Sequence, residues 1–320
     1  MASTKLTRTH GTATNTKKYT WSAWIKRGNI GTQETLVRTR TSDTNYARFR
    51  TDPDKLEFTD TISGSQITQL ISNEKLKDSN AWYHVVLKVD YTQASAADRA
   101  KIYLNGSEVS YATATRPSQD SDSFFNSANG HAIGTYNDNH YFFGAMSHVH
   151  FTDGYAYDAS TFGSTDATTG EWKINTSPSV TYGTNGYFIL KDANGVTDQS
   201  GNSNNFTVGG GTLTTLQDNP SNNFSTLNTR IRTSGGAFSQ VMNTFTDTSG
   251  SYQTGFSSQG MLNGQGKYYA EFKVVSGSSL LFGIADYKDG GLIDRTQQGQ
   301  TRYLGEYANS YGYQRNGNFY

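Results

Sequence analysis

Apolar and polar side chains alternate along the middle of the chain with a period of two residues, which is typical of a β-strand with one buried face. In residues 82–90 the more apolar side consists of Tyr83, Val85, Leu87 and Val89. Residues 101–104 alternate in the same way and end at Asn105 and Gly106. Because Asn-Gly tolerates the positive φ angles of a tight turn, this pattern predicts an antiparallel hairpin.

Short strand patterns recur before residue 210 and are separated by Gly, Asn, Asp and Ser, which favour turns. The predicted strands are residues 4–9, 18–27, 33–40, 44–51, 55–60, 66–72, 81–91, 99–106, 131–136, 140–152 and 184–191. Helical periodicity is limited to a single predicted turn over residues 158–163. Many short strands with turn signals between them predict an all-β sandwich or jelly roll.

The pattern changes character after residue 208. Residues 209–250 contain many Thr and Asn and little periodicity, and a second sheet pattern then has predicted strands over 266–275, 279–286 and 303–313. We therefore predict a first sandwich over residues 1–208, a connector over 209–250 and a second, incomplete β-sandwich over 251–320. Because a sandwich that stopped at Tyr320 would leave an apolar face open, we expect the chain to be part of a longer polypeptide.

The composition excludes several classes of protein. The chain has 27 Lys and Arg against 27 Asp and Glu, so no net positive field attracts nucleic acid. No stretch approaches the roughly 18 apolar residues of a membrane span, so no membrane insertion is expected. The absence of cysteine excludes disulfides, thiolate metal sites and a cysteine nucleophile. Aromatic residues make up 13% of the chain and can build the core of a sheet protein.

The strand patterns resemble the laminin-G-like branch of the concanavalin A-like lectin/glucanase superfamily. The segments that carry this resemblance are residues 19–26, 82–90, 101–109, 133–135 and 142–151. The resemblance implies a concanavalin A-like jelly-roll sandwich over about the first two thirds of the chain. The last sheet pattern is similar to the opening half of a SPRY-type sandwich.

Residues 218–228 are similar to segments of appendage proteins of tailed phages, especially marine ones. This resemblance implies a structural or adhesion protein of the virion, in a tail, neck or head appendage, that is made in the bacterial cytoplasm. The partners it implies are other virion proteins and a host-surface glycan. Such appendages are commonly symmetric homo-oligomers, and a trimer is favoured.

A glycan-degrading enzyme is the main alternative, because some members of this superfamily cut glucans. Those enzymes carry paired carboxylates on one face of a strand. Glu57 and Asp60 are three residues apart and are predicted to face opposite sides of a strand, while Glu171 stands alone. The sequence therefore favours a non-enzymatic protein. A capsid decoration protein without a ligand is a further alternative.

Carbohydrate recognition requires an aromatic platform with planar polar groups beside it. The segment 136–141 has this composition, and so do the residues around Trp172. We therefore predict a carbohydrate-binding site composed of Tyr136, Asn137, Asp138, His140, Tyr141 and Trp172.

Two further groups of residues have the spacing of a shared strand face. Arg38 and Arg40 are predicted to share a face with Arg48 and Arg50 on neighbouring strands; this is either a solvated sheet face or a docking patch for an acidic partner subunit. His148 and His150 could together bind zinc, although the polar side of a core strand explains them as well. No cofactor is predicted. The family resemblance allows for calcium, but the Asp- and Asn-rich turns define no ligand set.

Overall fold

A computed structural model describes residues 3–191, 195–232, 236–239, 243–247, 255–257, 267–277, 280–285, 304 and 310–319. The chain divides into two compact units, Met1–Phe224 and Ser225–Tyr320. In the described part of the chain, no helix has the length and apolar character needed to cross a bilayer.

The regular secondary structure of the first unit consists almost entirely of antiparallel strands. In chain order they are β1 (Lys5–Thr9), β2 (Lys18–Arg27), β3 (Glu34–Arg40), β4 (Tyr46–Thr51), β5 (Lys55–Ile62), β6 (Ser65–Lys75), β7 (Tyr83–Asp90), β8 (Ala100–Leu104), β9 (Ser107–Glu108), β10 (Tyr111–Thr115), β11 (Gly130–Ile133), β12 (Gly144–Asp153), β13 (Gly163–Thr165), β14 (Trp172–Ile174), β15 (Tyr187–Ile189) and β16 (Thr207–Gly210). A short helix α1 (Ala96–Arg99) precedes β8, and a 3-10 turn (Ala159–Thr161) follows β12. Every strand predicted before residue 210 overlaps an observed strand.

Two sheets form the sandwich. The first has eight strands in the order β10-β6-β5-β4-β3-β11-β1-β16, and the second has six in the order β15-β12-β2-β7-β8-β9. Their inner faces share one core in which Trp21, Phe49, Phe58, Leu87 and Phe151 have no exposed surface. Burying each such side chain contributes roughly 1.5–3 kcal/mol. The predicted all-β jelly-roll sandwich is confirmed.

Strand β7 is buried on both faces, which its alternating pattern did not predict. Val85 and Leu87 face the core as expected. His84 and Val86, on the opposite face, are also fully buried. The reason is that the segment after β12 returns across this face, where Phe162 and Trp172 both contact the ring of His84.

The hairpin predicted at Asn105 and Gly106 is confirmed. Leu104 pairs with Ser107, and the two turn residues have φ angles of 47° and 84°. Positive φ at both positions is the geometry for which Asn-Gly is preferred. The turn also lies against the ring of Trp172, and a Cβ atom on Gly106 would overlap that ring.

Replacing Gly106 by Ala is therefore expected to destabilise the first unit more than replacing Gly31 by Ala. Both glycines have φ near +80°, but a Cβ atom on Gly31 meets no atom within 4 Å. Gly31→Ala should cost only the backbone strain of about 1–2 kcal/mol. Gly106→Ala should cost about 1–3 kcal/mol more because of the overlap with Trp172. Urea unfolding of both variants measures the difference, and equal losses would contradict the packing of Trp172 on this turn.

The chain beyond β16 remains attached to the first unit as far as Phe224. The carboxylate of Asp218 is fully buried, 2.6 Å from Nζ of Lys26 on β2, and it accepts a hydrogen bond of 2.8 Å from Nε1 of Trp82. The segment predicted as a connector, 209–250, is thus divided between the two units.

The second unit contains three two-stranded ladders among its described residues. They pair β17 (Leu227–Arg232) with β20 (Gly255–Ser257), β18 (Gly236–Ser239) with β19 (Thr244–Asp247), and β21 (Leu281–Ala285) with β22 (Ser310–Gln314). The strand predicted over 266–275 is wrong for residues 267–275, which form no strand. Tyr269 is 84% exposed and Val275 79% exposed, so these side chains have no facing layer to hold them in a sheet. The SPRY-like assignment of 251–320 stays a prediction.

Candidate functional site

The outer face of the eight-stranded sheet carries a concentration of arginine. Strand β4 directs Ala47 and Phe49 into the core, so alternation places Tyr46, Arg48 and Arg50 on the opposite face. The register pairs Arg38 of β3 with Arg48 of β4. The predicted shared face of the four arginines, Arg38, Arg40, Arg48 and Arg50, is therefore confirmed.

The segment after β11 forms a tight turn beside these arginines. The backbones of Tyr136 and Asn139 exchange two hydrogen bonds of 3.0 Å, and Asn137 and Asp138 between them have φ angles of 49° and 58°. The carbonyl of His140 accepts a hydrogen bond of 2.9 Å from the backbone N–H of Thr35 in β3. The turn is thus fixed to the same edge of the sheet. The side chains of Asn137, Asp138 and His140 are exposed.

Tyr136 joins the turn to the arginines. Its ring centre lies 5.0 Å from the guanidinium of Arg48 and 5.8 Å from that of Arg40. The ring of Tyr46 meets it edge-on at 6.1 Å. Stacked guanidinium groups and aromatic rings attract each other because the ring face is electron-rich. The structure therefore brings together the arginine-rich strand face and the aromatic loop, which the sequence showed only separately. We call Arg38, Arg40, Arg48, Tyr46 and Tyr136 the Arg–Tyr cluster.

Carboxylates neutralise only part of this positive charge. Glu57 on β5 accepts hydrogen bonds of 2.9 and 3.0 Å from Arg50, which also contacts Asp52 at 2.6 Å. The same Glu57 is 3.9 Å from Arg48. Arg38 forms no ion pair with any residue that the structure describes.

The electrostatics of Arg38 reflect this imbalance. Burial, and secondly the positive charge of Arg40, lower the pKa of Arg38. Arg40 pairs with Asp43, but that carboxylate is 90% exposed and is therefore well screened by water. An oxyanion that bound between these guanidinium groups would relieve the repulsion.

A groove of about 280 Å³ continues the face beyond Arg38. The groove crosses β3, β11, β1 and β16. On these strands Arg38 pairs with Ala132, Ala132 with Thr7, and Thr7 with Thr207. Thr7, Thr9 and Thr207 are among the residues that line it. The Arg–Tyr cluster and this groove form one continuous polar surface on one sheet.

Asp138 and Tyr141 stabilise the turn from its other side. The Tyr141 hydroxyl donates a hydrogen bond of 3.4 Å to Asp138, and Lys5 of β1 forms an ion pair with the same carboxylate. The hydrogen bond from Lys5 holds the pKa of Asp138 below its usual value. The five predicted site residues of the loop, Tyr136, Asn137, Asp138, His140 and Tyr141, thus lie together beside the arginines.

Trp172 lies elsewhere. It begins β14 and packs on the outer side of the six-stranded sheet, against Gly106 and Gly163. Its Nε1 donates a hydrogen bond of 3.1 Å to Nδ1 of His84. Burial lowers the pKa of His84 to about 3, so this imidazole is neutral and its Nε2–H faces the Ser22 hydroxyl at 2.9 Å. The structure therefore does not bring Trp172 to the predicted loop.

Glu57 and Asp60 lie on opposite faces of β5, as predicted. Glu57 contacts the arginines on the outer face. Asp60 is fully buried and accepts a hydrogen bond of 2.6 Å from Ser123, and burial raises its pKa to about 7. These two carboxyl groups cannot flank one glycosidic bond, which is the arrangement that glycosidases use.

His148 and His150 each contact a hydroxyl group. A β-bulge interrupts β12 between Ser147 and His150, and His148 within it has a φ of 50°. Nδ1 of His148 lies 2.7 Å from the Ser147 hydroxyl, and Nδ1 of His150 lies 2.9 Å from that of Tyr182. Within the residues that the structure describes, no group of three or more His, Asp or Glu side chains could hold a metal ion.

Residues 2–156 match the model of the concanavalin A-like lectin/glucanases superfamily. The match covers slightly less than half of the chain and confirms the laminin-G-like resemblance for this part of the first unit. The eight- and six-stranded sheets are thus those of a concanavalin A-like fold.

Several solved structures are similar to the chain. An SAP-like pentraxin from Limulus polyphemus is 14% identical, with a TM-score of 0.38, over 56% of this chain and 89% of the pentraxin. A protein from Bacteroides ovatus described as carbohydrate-binding is 19% identical, with a TM-score of 0.37, over 68% of this chain and 61% of that one. Domain 4 of an extracellular arabinanase from Geobacillus stearothermophilus, in complex with arabinotriose, is 16% identical, with a TM-score of 0.34, over 45% and 64%. The chain thus spans less than two thirds of the length of the Bacteroides ovatus protein and of the arabinanase domain. No curated protein matches it.

Proposed function

We propose that this chain is a non-enzymatic structural and adhesion protein of a tailed-phage particle, which binds an anionic glycan of the host surface through the outer face of its eight-stranded sheet. The observation that carries the glycan part of this proposal is the Arg–Tyr cluster, in which two guanidinium groups lie within 6 Å of the Tyr136 ring. The resemblance of residues 218–228 to phage appendage proteins supports the location on a virion.

The chemistry of the cluster fits an acidic sugar. A tyrosine ring can pack against the C–H face of a sugar ring. A planar guanidinium group can donate a bidentate pair of hydrogen bonds to a carboxylate or sulfate. Arg38 has no ion pair among the described residues, so its donors are available to such a group. Each charge-assisted hydrogen bond contributes about 1.5–3 kcal/mol.

Arg48→Gln is expected to weaken binding of a uronate or sulfated polysaccharide at least about tenfold, which corresponds to about 1.4 kcal/mol. Lys101→Gln is the matched control, because Lys101 is on β8 of the other sheet and pairs with Asp98 and Glu108. Titration calorimetry of the full chain measures both variants. Equal binding by the wild-type chain and Arg48→Gln would show that the Arg–Tyr cluster is not the site.

Two assays separate this function from its alternatives. If the chain depolymerised host polysaccharide at an enzymatic rate, its function would be glycan degradation and not adhesion. A blank array of neutral, uronate and sulfated glycans, together with tight binding to purified capsids, would favour a decoration protein that docks an acidic subunit on the same face. Antibody against residues 1–200 should label the surface of intact virions, and the mass of the native assembly tests the expected trimer.

A further inference from the structure

A second group of residues, on the outer side of the six-stranded sheet, has reactive geometry that glycan binding does not use. Lys26 on β2 is fully buried, as is the carboxylate of Asp218, and the Nζ and Oδ2 atoms are 2.6 Å apart. The same Nζ lies 2.7 Å from the side-chain oxygen of Asn223. It also donates a hydrogen bond of 3.0 Å to the carbonyl of Phe224.

We propose that Lys26 and Asn223 join in an intramolecular isopeptide bond, with Asp218 transferring the protons. The bond would tie the segment that follows β16 covalently to a central strand of the sandwich. Lysine, asparagine and a buried carboxylate are the only groups that this condensation needs, and no oxidant, metal or cofactor takes part.

The distances place the reacting atoms close together. Because a carbonyl bond is about 1.2 Å long, Cγ of Asn223 is within about 4 Å of Nζ. Reacting atoms in a near-attack arrangement are about 3–3.5 Å apart, so a small rotation of the amide is sufficient. The Asn223 amide nitrogen donates a hydrogen bond of 3.1 Å to the carbonyl of Asn80, which fixes the orientation of the amide while its oxygen accepts from Lys26.

The surroundings favour the neutral amine that must attack. Burial is the main influence on Lys26 and lowers its pKa, although Asp218 opposes this shift. Trp82 donates a hydrogen bond of 2.8 Å to Oδ1 of Asp218, and the backbone N–H of Phe224 donates one of 3.2 Å to the same atom. The other carboxylate oxygen, Oδ2, therefore faces Nζ in a fixed position and can accept its proton.

The reaction balances without further reagents. The Lys26 ammonium passes one proton to Asp218, and the neutral Nζ then bonds to Cγ of Asn223. Asp218 gives that proton to the Asn223 amide nitrogen, so that the bond between Cγ and this nitrogen breaks and ammonia forms. Nζ loses a second proton, which Asp218 passes to the ammonia, and the product leaves as ammonium while one hydrogen remains on the new amide nitrogen. The Asn223 side chain is exposed, so ammonium can leave to solvent, whereas the lysine and aspartate remain buried.

Intact-mass spectrometry of the purified full chain tests the proposal. The wild-type chain is expected to be lighter than its sequence by one ammonia, and a proteolytic digest should contain a branched peptide that joins Lys26 to Asn223. Asn223→Ala should have the full sequence mass. Asn222→Ala, which removes a neighbouring exposed asparagine, should keep the deficit.

The peptide map is necessary because succinimide formation at an Asn-Gly pair also releases ammonia. A deficit that persists in Asn223→Ala would overturn the assignment. A deficit of one water instead would identify Asp218 as the acceptor and would also overturn it. A wild-type chain at its full sequence mass after prolonged incubation would show that Lys26 and Asp218 form only a buried ion pair. Circular dichroism of each variant confirms that it folds.

Discussion

Replacing Arg27 by Met is expected to lower the free energy of unfolding of the first unit by about 3–5 kcal/mol, the usual loss when one member of a buried ion pair is removed. Arg27 ends β2 and has no exposed surface. Its guanidinium donates to Glu34 at 3.2 Å and to Asp54 at 3.0 Å. Methionine replaces the aliphatic part of the arginine side chain, so the loss reports mainly the missing charge and donors.

The remaining donors of Arg27 are also used. They reach the carbonyl oxygens of Leu76 at 2.8 Å, Pro53 at 3.0 Å and Thr32 at 3.4 Å. A guanidinium group has five N–H donors, and each one here has an acceptor. The substitution would therefore leave three backbone carbonyls and two buried carboxylates without this partner.

Lys75→Met provides the control for loss of one positive charge, because Lys75 is exposed at the end of β6. It should change the free energy of unfolding by no more than about 0.5 kcal/mol. Chemical denaturation at pH 8, where Glu34 is ionised, followed by tryptophan fluorescence, measures both variants. A loss below 1 kcal/mol for Arg27→Met would contradict the role of Arg27 as the counter-ion of Glu34 and Asp54.

Lowering the pH from 6 to 5 is expected to destabilise the first unit by about 3 kcal/mol. Burial lowers the pKa of His84 and His131 to about 3, and burial also lowers the pKa values of His10 and His150. In the unfolded chain each imidazole has its ordinary pKa near 6.5, so acid protonates the unfolded state first. Stability is therefore present above pH 6.5 and is lost as the pH falls below it.

Two carboxyl groups act in the opposite direction. Burial raises the pKa of Asp60 and of Glu34 to about 7, so the folded chain keeps these protons while the unfolded chain releases them. Their stabilisation is complete below about pH 4 and is lost as the pH rises through 7. At about 1.36 kcal/mol per proton and pH unit, four histidines outweigh two carboxyls by about 2.7 kcal/mol per unit.

His10→Phe should make this pH dependence shallower. His10 is buried against His131, with ring centres 3.8 Å apart, and neither of its ring nitrogens has a hydrogen-bond partner among the described residues. The variant should be at least as stable as the wild type at pH 7, because a buried polar ring without partners is removed. Its slope should fall by about 1.4 kcal/mol per pH unit.

His140→Gln is the control for this measurement, since His140 is exposed in the turn after β11. Its unfolding free energy should depend on pH as that of the wild type does between pH 7 and pH 5. If His10→Phe showed the wild-type slope as well, the imidazole of His10 would not be held neutral in the folded chain.

The strands and their inward faces follow from the sequence because alternation is a local property. Val85 and Leu87 occupy the core positions that their period of two predicts. The turn at Asn105 and Gly106 forms where two residues tolerate positive φ. Local pattern also placed the four arginines on one face, since strands β3 and β4 are adjacent along the chain and pair as a hairpin.

The Arg–Tyr cluster required the three-dimensional pairing. β11 lies beside β3, although some 90 residues separate them, as the hydrogen bond from Thr39 to the Gly130 carbonyl shows. This pairing brings Tyr136 over Arg40 and Arg48. No local pattern reports such a contact, and the composition around Trp172 resembles that around Tyr136 although the two residues lie on different sheets.

The alternating residues by themselves determined that this chain builds an antiparallel all-β sandwich, because side-chain direction within a strand depends only on the parity of position. The tertiary structure alone decided which polar groups meet. Asp218 contacts Lys26 although the two are 192 residues apart in the sequence, and Asn223 contacts it from 197 residues away. Those contacts depend on where a long segment crosses a sheet, which is set by the packing of the whole unit rather than by neighbouring residues.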